Sequence, residues 1–399
     1  MTKGPAMQNT PLPKGFFVGG INCGVRRYRP DLGVILSEID AVTAGVYTLN
    51  ECKAAPVLYC QGITPSPRVR AIITNSGQAN AATGEKGKQD NLTVVEALAT
   101  KIGCESSQVL IASTGVIGVP MEVDKIVAHI PEMVDRATST AEPFALAILT
   151  TDLIPKTVTT EIALSQGTIR MTGICKGSGM IHPNMATMLG YVITDVAMTP
   201  EMAQTSLQAA TDLSFNMISV DGETSTNDCV FLMANGASGV SLATPGDRQL
   251  FQSTLTEMMQ ILAQAIARDG EGSSKLIEVR LQGVSDESLA KKAARGITIS
   301  PLVKTAIHGE DPNWGRILAR LGAEGIPADH LNDLSLKIQG IQVMKDGVPV
   351  PFDRETAKAT LRSDTVQILV ELSAGKASAT AWGCDLSKKY VDINAEYST

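Results

Sequence analysis

The stretch KGSGMIHPNMATML, residues 176–189, carries the most information about this chain, because it places a threonine directly after a glycine- and proline-containing segment. Gly177 and Gly179 allow backbone φ values that are closed to other residues, and Pro183 fixes its own φ. A lead-in of this kind can hold the following peptide bond in a strained geometry. The stretch therefore predicts a site where the backbone itself reacts.

Thr187 follows this lead-in and is placed to cut the bond before it. Attack of the Thr187 hydroxyl on the carbonyl of Ala186 gives an ester, and water then releases a new amino terminus on Thr187. A free α-amine has a pKa of about 7.7 to 8, so it can act as the base for the hydroxyl of its own residue. The same letters also fit a glycine-rich loop that enters the apolar strand MATMLGYVIT, with Thr187 as an ordinary β-branched strand residue.

Seven further blocks accompany this stretch and span nearly the whole chain in order. They are AGVYTLNECKAAPV (44–57), IASTGVIG (111–118), TTDLIPK (150–156), DGETSTND (221–228), DGEGSSKLIEV (269–279), GEDPNWGRIL (309–318) and DINAEYST (392–399). Together with residues 176–189, they resemble the conserved blocks of the ornithine acetyltransferase (glutamate N-acetyltransferase) family. The resemblance favours self-cleavage over the ordinary-strand interpretation of Thr187.

The periodicity of the sequence predicts an α+β protein. Short apolar strands are expected at 71–77 and 109–114, and an amphipathic helix at 91–103. Further helices are expected from Pro200 to about Leu213 and over 246–270. Alternating residues predict hairpins at 164–177, around Asp346-Gly347 and around Ala374-Gly375. The mixture of helices and antiparallel strands indicates α+β layers.

The family resemblance implies a more definite architecture. It implies an αββα sandwich of the ornithine acetyltransferase/DmpA-like type, self-cleaved into two chains. The N-terminal fragment would be residues 1–186 and the C-terminal fragment residues 187–399, which begins with the nucleophile. The two fragments are expected to stay folded together and to assemble as an (αβ)2 heterotetramer.

Composition limits which binding partners and which cellular location are expected. Hydrophobic residues make up 44% of the 399 residues and charged residues 19%, which is typical of a well-packed globular protein. The net charge of -7 disfavours nucleic acid and anionic membranes as partners. No apolar run approaches the ~20 residues of a membrane span, and the start lacks a signal or transit pattern. A cytoplasmic protein with small-molecule partners is expected.

Cysteine and histidine usage predicts no metal site. The seven cysteines include no CxxC pair, and they are expected to be reduced, mostly buried thiols. Four histidines are spread along the chain without metal-binding spacing. His182 lies near the expected nucleophile and is predicted to be structural or solvent-exposed.

Acyl transfer also needs donors for the oxyanion of the tetrahedral intermediate. Thr114 and Gly115 follow the apolar strand VLIAS, where a hydroxyl and an unobstructed backbone N–H can point into a site. The same pair also fits a simple turn at the end of a strand. The resemblance implies that Thr114 and Gly115 form the oxyanion hole beside the catalytic Thr187.

The resemblance also implies the substrate-binding set. Lys176 would hold a carboxylate and Glu271 an ammonium group, and the glycines on either side of Glu271 permit close approach of backbone to ligand. The full set is Thr150, Lys176, Thr187, Glu271, Asn394 and Thr399. In TTD the equivalent position is either Thr150 or Thr151. Asp221, Asn227 and Asp228 fit either a nucleophile-orienting role or turn capping.

The activity implied is transfer of an acetyl group from N-acetyl-L-ornithine to L-glutamate, a step of arginine biosynthesis. The route would be ping-pong through an acetyl ester on Thr187, with no cofactor and with acetyl-CoA as a further candidate donor. One alternative is a self-processing amidohydrolase or aminopeptidase, in which water replaces glutamate as the acceptor. A non-catalytic binding protein would require loss of the nucleophile, and Thr187 is intact.

Overall fold

The computed structural model describes residues 10–182 and 188–396. Within them the strands are β1 (Phe16–Ile21), β2 (Leu32–Tyr47), β3 (Ser66–Gln78), β4 (Val109–Val116), β5 (Lys156–Leu164), β6 (Gly167–Lys176), β7 (Leu189–Thr194), β8 (Ile218–Ser219), β9 (Cys229–Ala234), β10 (Leu276–Val284), β11 (Ser335–Ile338), β12 (Ile341–Lys345), β13 (Val348–Pro349), β14 (Thr365–Glu371) and β15 (Ala377–Cys384). The helices are α1 (Ala55–Gln61), α2 (Gly84–Ile102), α3 (Val123–Asp135), α4 (Glu142–Ala147), α5 (Pro200–Asp212), α6 (Pro245–Arg268), α7 (Glu287–Ile299), α8 (Pro301–His308), α9 (Trp314–Ala323), α10 (Arg354–Thr360) and α11 (Lys388–Glu396).

The first sheet is built from both sides of the predicted cut. Its strand order is β4-β3-β2-β9-β7-β6-β5, and β1 pairs with β2 at one end. Strands β1 to β6 precede residue 183, whereas β7 and β9 follow residue 187. Because β7 and β9 lie between β2 and β6, cleavage at the predicted bond would leave the two fragments joined within one sheet.

Strands β6 and β7 hold the two ends of the predicted cleavage loop. They are antiparallel, with Lys176 opposite Leu189 at the open end of the pair. Strand β7 also runs parallel to β9, which places Leu189 beside Cys229. The chain on either side of residues 177–188 is therefore fixed in the centre of the sheet.

The second sheet lies entirely in the C-terminal half and has the order β13-β12-β11-β14-β10-β15-β8. Strand β10 lies between β14 and β15, parallel to the former and antiparallel to the latter. The predicted hairpin around Ala374-Gly375 is therefore wrong. Alternation identified both strands, but it does not reveal that a strand from elsewhere in the chain inserts between them.

Two hydrophobic cores form on opposite faces of the first sheet. In β9, Phe231 and Met233 face the core made with α1 to α4, whereas Val230 and Leu232 face the core made with α5 and α6. The second core continues into the second sheet and α7. Helix α6 contacts β5 and β6 of the first sheet and β15 of the second, so it packs against both sheets. Its Phe251 is buried in the second core, and the helix confirms the one predicted over 246–270.

The remaining local predictions are largely confirmed, with a few shifts. Strands β3 and β4 cover the predicted runs, and β5 and β6 form the predicted hairpin. Helix α2 begins at Gly84, seven residues before the predicted start, and Gly103 ends it with φ of 71°. The turn at Asp346-Gly347 is present between β12 and β13, although a second turn precedes it between β11 and β12. The predicted mixture of helices and strands is confirmed.

All seven cysteines are free, and five of them are buried, as the sequence predicted. Trp314 begins α9 and packs against the core. Within residues 10–182 and 188–396, no helix is both long and apolar enough to cross a membrane.

Candidate active site

A cavity of about 240 Å³ opens where β4 and β6 end, beside the predicted cleavage loop. Its wall contains most of the predicted site residues, which come from five separate segments of the chain. These are Thr114, Gly115, Thr150, Thr151, Lys176, Glu271 and Asn394. Ala186, Thr187 and Thr399 lie outside the described residues. The structure thus gathers seven predicted positions and leaves the nucleophile as a prediction.

Thr114 and Lys176 meet although their strands are far apart in the sheet. Four strands separate β4 from β6 in the strand order, yet Lys176 Nζ donates a hydrogen bond to Thr114 Oγ1 at 2.7 Å. The first sheet must therefore be strongly curved, and the right-handed twist of its strands permits such curvature. Since Thr114 Oγ1 accepts from an ammonium group, its own O–H remains available to donate into the cavity.

Gly115 occupies a position that only glycine fits. It lies opposite Gly77 on the parallel strand β3, and its φ is 132°. A Cβ on Gly115 would lie 2.2 Å from the backbone carbonyl carbon of Gly77. The close approach of two backbones thus explains the glycine of the Thr114-Gly115 pair in structural terms, in addition to its predicted oxyanion role.

The electrostatic state of Lys176 is unusual for a lysine. Burial lowers the pKa of Lys176, and the carboxylates of Asp152 and Asp228 oppose that effect only in part. Its amine therefore loses its proton at a lower pH than an exposed lysine does. A residue with this environment in a cavity is a reasonable candidate for a functional group.

Glu271 contacts the backbone of residues 178 and 179, which lie in the stretch that leads to the predicted cut. Its Oε2 accepts a hydrogen bond from Asn394 Nδ2 at 2.9 Å, and its backbone N–H donates to the carbonyl of Ser178 at 3.0 Å. A Cβ on Gly179 would lie 2.4 Å from the Glu271 carboxyl carbon. Gly179 therefore makes room for this carboxylate, and Glu271 and Asn394 form one side of the cavity.

A buried ion triad lies behind the cavity and was not predicted from the sequence. Lys156 Nζ is 2.6 Å from Asp152 Oδ1 and 2.7 Å from Asp269 Oδ2. Burial disfavours the charge of Lys156, but the two carboxylates outweigh that effect and raise its pKa. Asp152 also accepts the backbone N–H of Gly177 at 2.7 Å. The signal in the sequence is the pair of opposite charges, Asp152 and Lys156, four residues apart around the apolar residues 153–155.

The DGETSTND block has clear structural partners. Asn227 Nδ2 donates to the carbonyls of Ser113, at 2.9 Å, and Ala79, so it ties this block to the end of β4. Asp221 accepts hydrogen bonds from the backbone N–H groups of Met180 and Ile181. Capping therefore accounts for Asp221, whereas a role in orienting the nucleophile stays a prediction.

Thr150 and Thr151 both line the cavity, so the ambiguity between them persists. His182 is partly buried, with its ring 3.2 Å from Ser219 Oγ and 3.0 Å from Arg295 Nη2. Burial, followed by the charge of Arg295, lowers the pKa of His182 to about 4, so its ring is neutral at pH 7. This matches the structural role predicted for His182.

Comparison with known proteins identifies the family. The sequence model of the ArgJ family matches residues 17–399. The chain belongs to the ArgJ family. The prediction made from the sequence motifs is therefore confirmed, and so is the fold class.

Two ArgJ relatives and one solved structure illustrate the similarity. The arginine biosynthesis bifunctional protein ArgJ of Synechococcus sp. is 46% identical over 402 residues, covering 97% of this chain and 96% of the relative. The chloroplastic ArgJ of Sorghum bicolor is 44% identical over 400 residues, covering 97% and 86%. The crystal structure of ArgJ from Bacillus halodurans has a TM-score of 0.51 and 43% identity, covering 53% of this chain and 100% of that chain.

The triad gives a first prediction, on stability. Lys156→Met leaves Asp152 and Asp269 buried without their cation, and this should lower the free energy of unfolding by about 3 to 5 kcal/mol. Urea unfolding followed by circular dichroism measures the change. The matched control is Lys88→Met, which removes a lysine from an exposed pair with Glu85 and should have little effect. Equal stability of Lys156→Met and the wild type would show that the triad contributes nothing.

Proposed function

We propose that this chain is the acetyltransferase of arginine biosynthesis that moves an acetyl group from N-acetyl-L-ornithine to L-glutamate. The observation that carries the proposal is the convergence of Thr114, Gly115, Lys176 and Glu271 on one cavity, which Gly179 and Met180 of the stretch before the predicted cut also line. Membership of the ArgJ family supports the same reaction, since the relatives are named as bifunctional proteins of arginine biosynthesis.

The chemistry begins with the amine that self-cleavage releases on Thr187. This amine takes the proton of the Thr187 hydroxyl while Oγ1 attacks the acetyl carbonyl of N-acetylornithine. The negative charge that develops on the carbonyl oxygen is stabilised by the Thr114 hydroxyl and the Gly115 N–H. A single donor of this kind contributes about 3 to 4 kcal/mol to transition-state stabilisation. The hydrogen bond from Lys176 to Thr114 supports this role, because it orients the hydroxyl.

The departure of ornithine ends the first half of the reaction, and the second half regenerates the enzyme. Ornithine leaves with the proton that Thr187 had taken up, and the acetyl group remains as an ester on Thr187 Oγ1. The amine of glutamate then attacks this ester, and the Thr187 hydroxyl is restored when N-acetylglutamate leaves. Both substrates are charged amino acids, so one pocket with the cation Lys176 and the anion Glu271 suits each in turn.

Fragment size supports the cleavage step. Cleavage between Ala186 and Thr187 gives pieces of 186 and 213 residues. The whole of the matched chain in the Bacillus halodurans structure aligns with 53% of this chain, a share that fits the longer piece. The interleaving of β7 and β9 with strands of the first half supports continued association after the cut. Family resemblance supports two such pairs, an (αβ)2 heterotetramer with twice the 42.1 kDa mass of the chain.

The first test of the proposal is self-cleavage. Purified wild-type protein should run as two fragments on a denaturing gel, and the longer fragment should begin Thr-Met-Leu-Gly. Thr187→Ala should remain one chain of 42.1 kDa, because the attacking hydroxyl is gone. Thr187→Ser is the matched control, since it keeps a hydroxyl and should still split. A Thr187→Ala chain that splits at this bond would refute the mechanism.

The second test is the covalent intermediate. Incubation with N-acetylornithine alone should add one acetyl mass to the fragment that starts at Thr187, and glutamate should then remove it. Mass spectrometry of the intact fragments measures both steps. Active enzyme that never carries the adduct would exclude the ping-pong route, and acetate release that is independent of glutamate would favour the hydrolase alternative.

The word bifunctional in the names of the relatives supports a second donor. We propose that acetyl-CoA also acetylates Thr187, which would let the enzyme start the synthesis of N-acetylglutamate as well as recycle its acetyl group. The same mass measurement with acetyl-CoA in place of N-acetylornithine tests this extension. An adduct from N-acetylornithine but none from acetyl-CoA would restrict the enzyme to recycling.

The third test uses the lowered pKa of Lys176. The rate should rise with pH as the Thr187 amine loses its proton near its ordinary pKa of about 7.7 to 8. The rate should fall again at a pH below the ordinary pKa of a lysine, because burial lowers the pKa of Lys176. Loss of the proton removes the charged form of Lys176 that binds the substrate carboxylate. Lys176→Arg stays charged and should lose the alkaline limb of the kcat/KM profile. The exposed Lys88→Arg should keep it. An unchanged alkaline limb in Lys176→Arg would assign it to another group.

A further inference from the structure

Residues 177–182, which lead to the predicted cut, contain no helix or strand, yet polar bonds hold nearly every one of them. The Ser178 hydroxyl donates to the carbonyl of Asp269 at 2.7 Å, and the Ser178 carbonyl accepts the N–H of Glu271 at 3.0 Å. These two bonds attach the start of the lead-in to the loop that follows α6. Such irregular backbone is normally mobile unless it is tied down in this way.

Asp221 fixes the middle of the lead-in. Its Oδ2 accepts the N–H of Met180 at 2.6 Å, and its Oδ1 accepts the N–H groups of Ile181 at 2.9 Å and Glu223 at 3.1 Å. Met180 has a φ of 55°, which is uncommon for a residue with a side chain. The two successive N–H groups point at one carboxylate, so Asp221 stabilises a backbone conformation that would otherwise be disfavoured.

The same short loop fixes the end of the lead-in. The carbonyl of Ile181 accepts the N–H of Val220 at 2.7 Å and the hydroxyl of Ser219 at 3.1 Å. The carbonyl of His182 accepts the hydroxyl of Thr224 at 3.1 Å. The loop 219–224 therefore contacts three consecutive residues, 180–182, immediately before the segment that contains the predicted cut.

Ser219, Val220, Asp221, Thr224, Asp269 and Glu271, which bond to residues 178–182, follow the predicted cut in sequence. They lie in the loop 219–224 and at residues 269–271, and Arg295 of helix α7, which contacts the His182 ring, also follows the cut. We propose that the loop 219–224, with Asp221 at its centre, positions the Ala186–Thr187 bond for self-cleavage, and we call this loop the clamp. Because the clamp lies downstream of the cut, cleavage requires that the downstream half has folded first. This inference rests on the proposed self-cleavage.

The clamp acts by position and not by proton transfer. In cleavage, Thr187 Oγ1 bonds to the carbonyl carbon of Ala186, the C–N bond breaks, and the hydroxyl proton passes to the nitrogen that becomes the amine. Water then hydrolyses the ester and leaves a carboxylate on Ala186. Because both oxygens of Asp221 are engaged by backbone N–H groups, Asp221 is a positioning residue. After the cut, the same bonds would keep the new C-terminal end of the first fragment attached to the second.

The test compares two carboxylates of the same loop. Asp221→Asn replaces an acceptor oxygen by an amide that faces an N–H group, whereas Glu223→Gln removes a charge and leaves the Glu223 N–H in place. Each full-length chain is made in a cell-free system, and the appearance of the two fragments is followed on gels. Asp221→Asn should split at least about tenfold more slowly, since a misplacement of about 1 Å can cost about a hundredfold. Glu223→Gln should split at the wild-type rate.

Hydrogen exchange provides a readout that general destabilisation would not reproduce. In the uncut Thr187→Ala chain, the amides of Met180 and Ile181 should be protected from exchange. Adding Asp221→Asn should remove that protection while the amides of β6 and β7 stay protected, and adding Glu223→Gln should leave all of them protected. Equal protection with and without Asp221 would overturn the clamp.

A milder variant keeps the proposal testable if Asp221→Asn does not fold. Thr224→Val removes only the hydroxyl bonded to the His182 carbonyl and should slow cleavage about two- to tenfold, the effect of one hydrogen bond. Cleavage of Thr224→Val at the wild-type rate would overturn the proposal when Asp221→Asn is unfolded. A folded Asp221→Asn that splits at the wild-type rate overturns the clamp alone, whereas a wild-type chain that never splits overturns self-cleavage and the clamp together.

Discussion

The antiparallel pairing of β6 with β7 is the constraint on which the rest of this structure depends. It places Lys176 opposite Leu189, so the residues on either side of the predicted cleavage segment are fixed by pairing within the first sheet. The backbone hydrogen bonds of a central strand are costly to leave unpaired, so both ends of the segment are held firmly.

The same pairing explains why both halves of the chain are needed for one site. Thr114 and Lys176 come from strands of the first half, whereas Glu271 and Asn394 come from the second. The sheet curls until Lys176 reaches Thr114, and Gly179, three residues after Lys176, packs against the carboxylate of Glu271. The cavity is thus a product of the complete fold and belongs to neither half alone.

Two lysines differ in how their environment treats their charge. Lys156, behind the cavity, is paired with carboxylates, whereas burial disfavours the charge of Lys176 in the cavity wall. Lys156 is neutralised by Asp152 and Asp269, and each carboxylate also accepts a backbone N–H, from Gly177 and Leu153 respectively. These bonds join the TTDLIPK and DGEGSSK blocks, which are separated by more than a hundred residues. Lys176, in contrast, donates a hydrogen bond to the neutral hydroxyl of Thr114, and burial lowers its pKa. One lysine is therefore held in a buried ion triad, whereas the other lines the cavity.

The sequence by itself determined the family, through blocks that resemble those of its members, and the α+β class, through apolar periodicity, because both are local properties of the chain. The same resemblance selected the candidate site residues, whose roles stay predictions. Thr114, Lys176 and Glu271 could be selected from their motifs. Only the tertiary structure decided which blocks meet. The insertion of β10 between β14 and β15, the contact of Thr114 with Lys176, the buried triad and the attachment of Asp221 to the lead-in all join residues distant in sequence. Such contacts depend on sheet order and curvature, which are set by the packing of the whole chain and leave no periodic signal in any single segment.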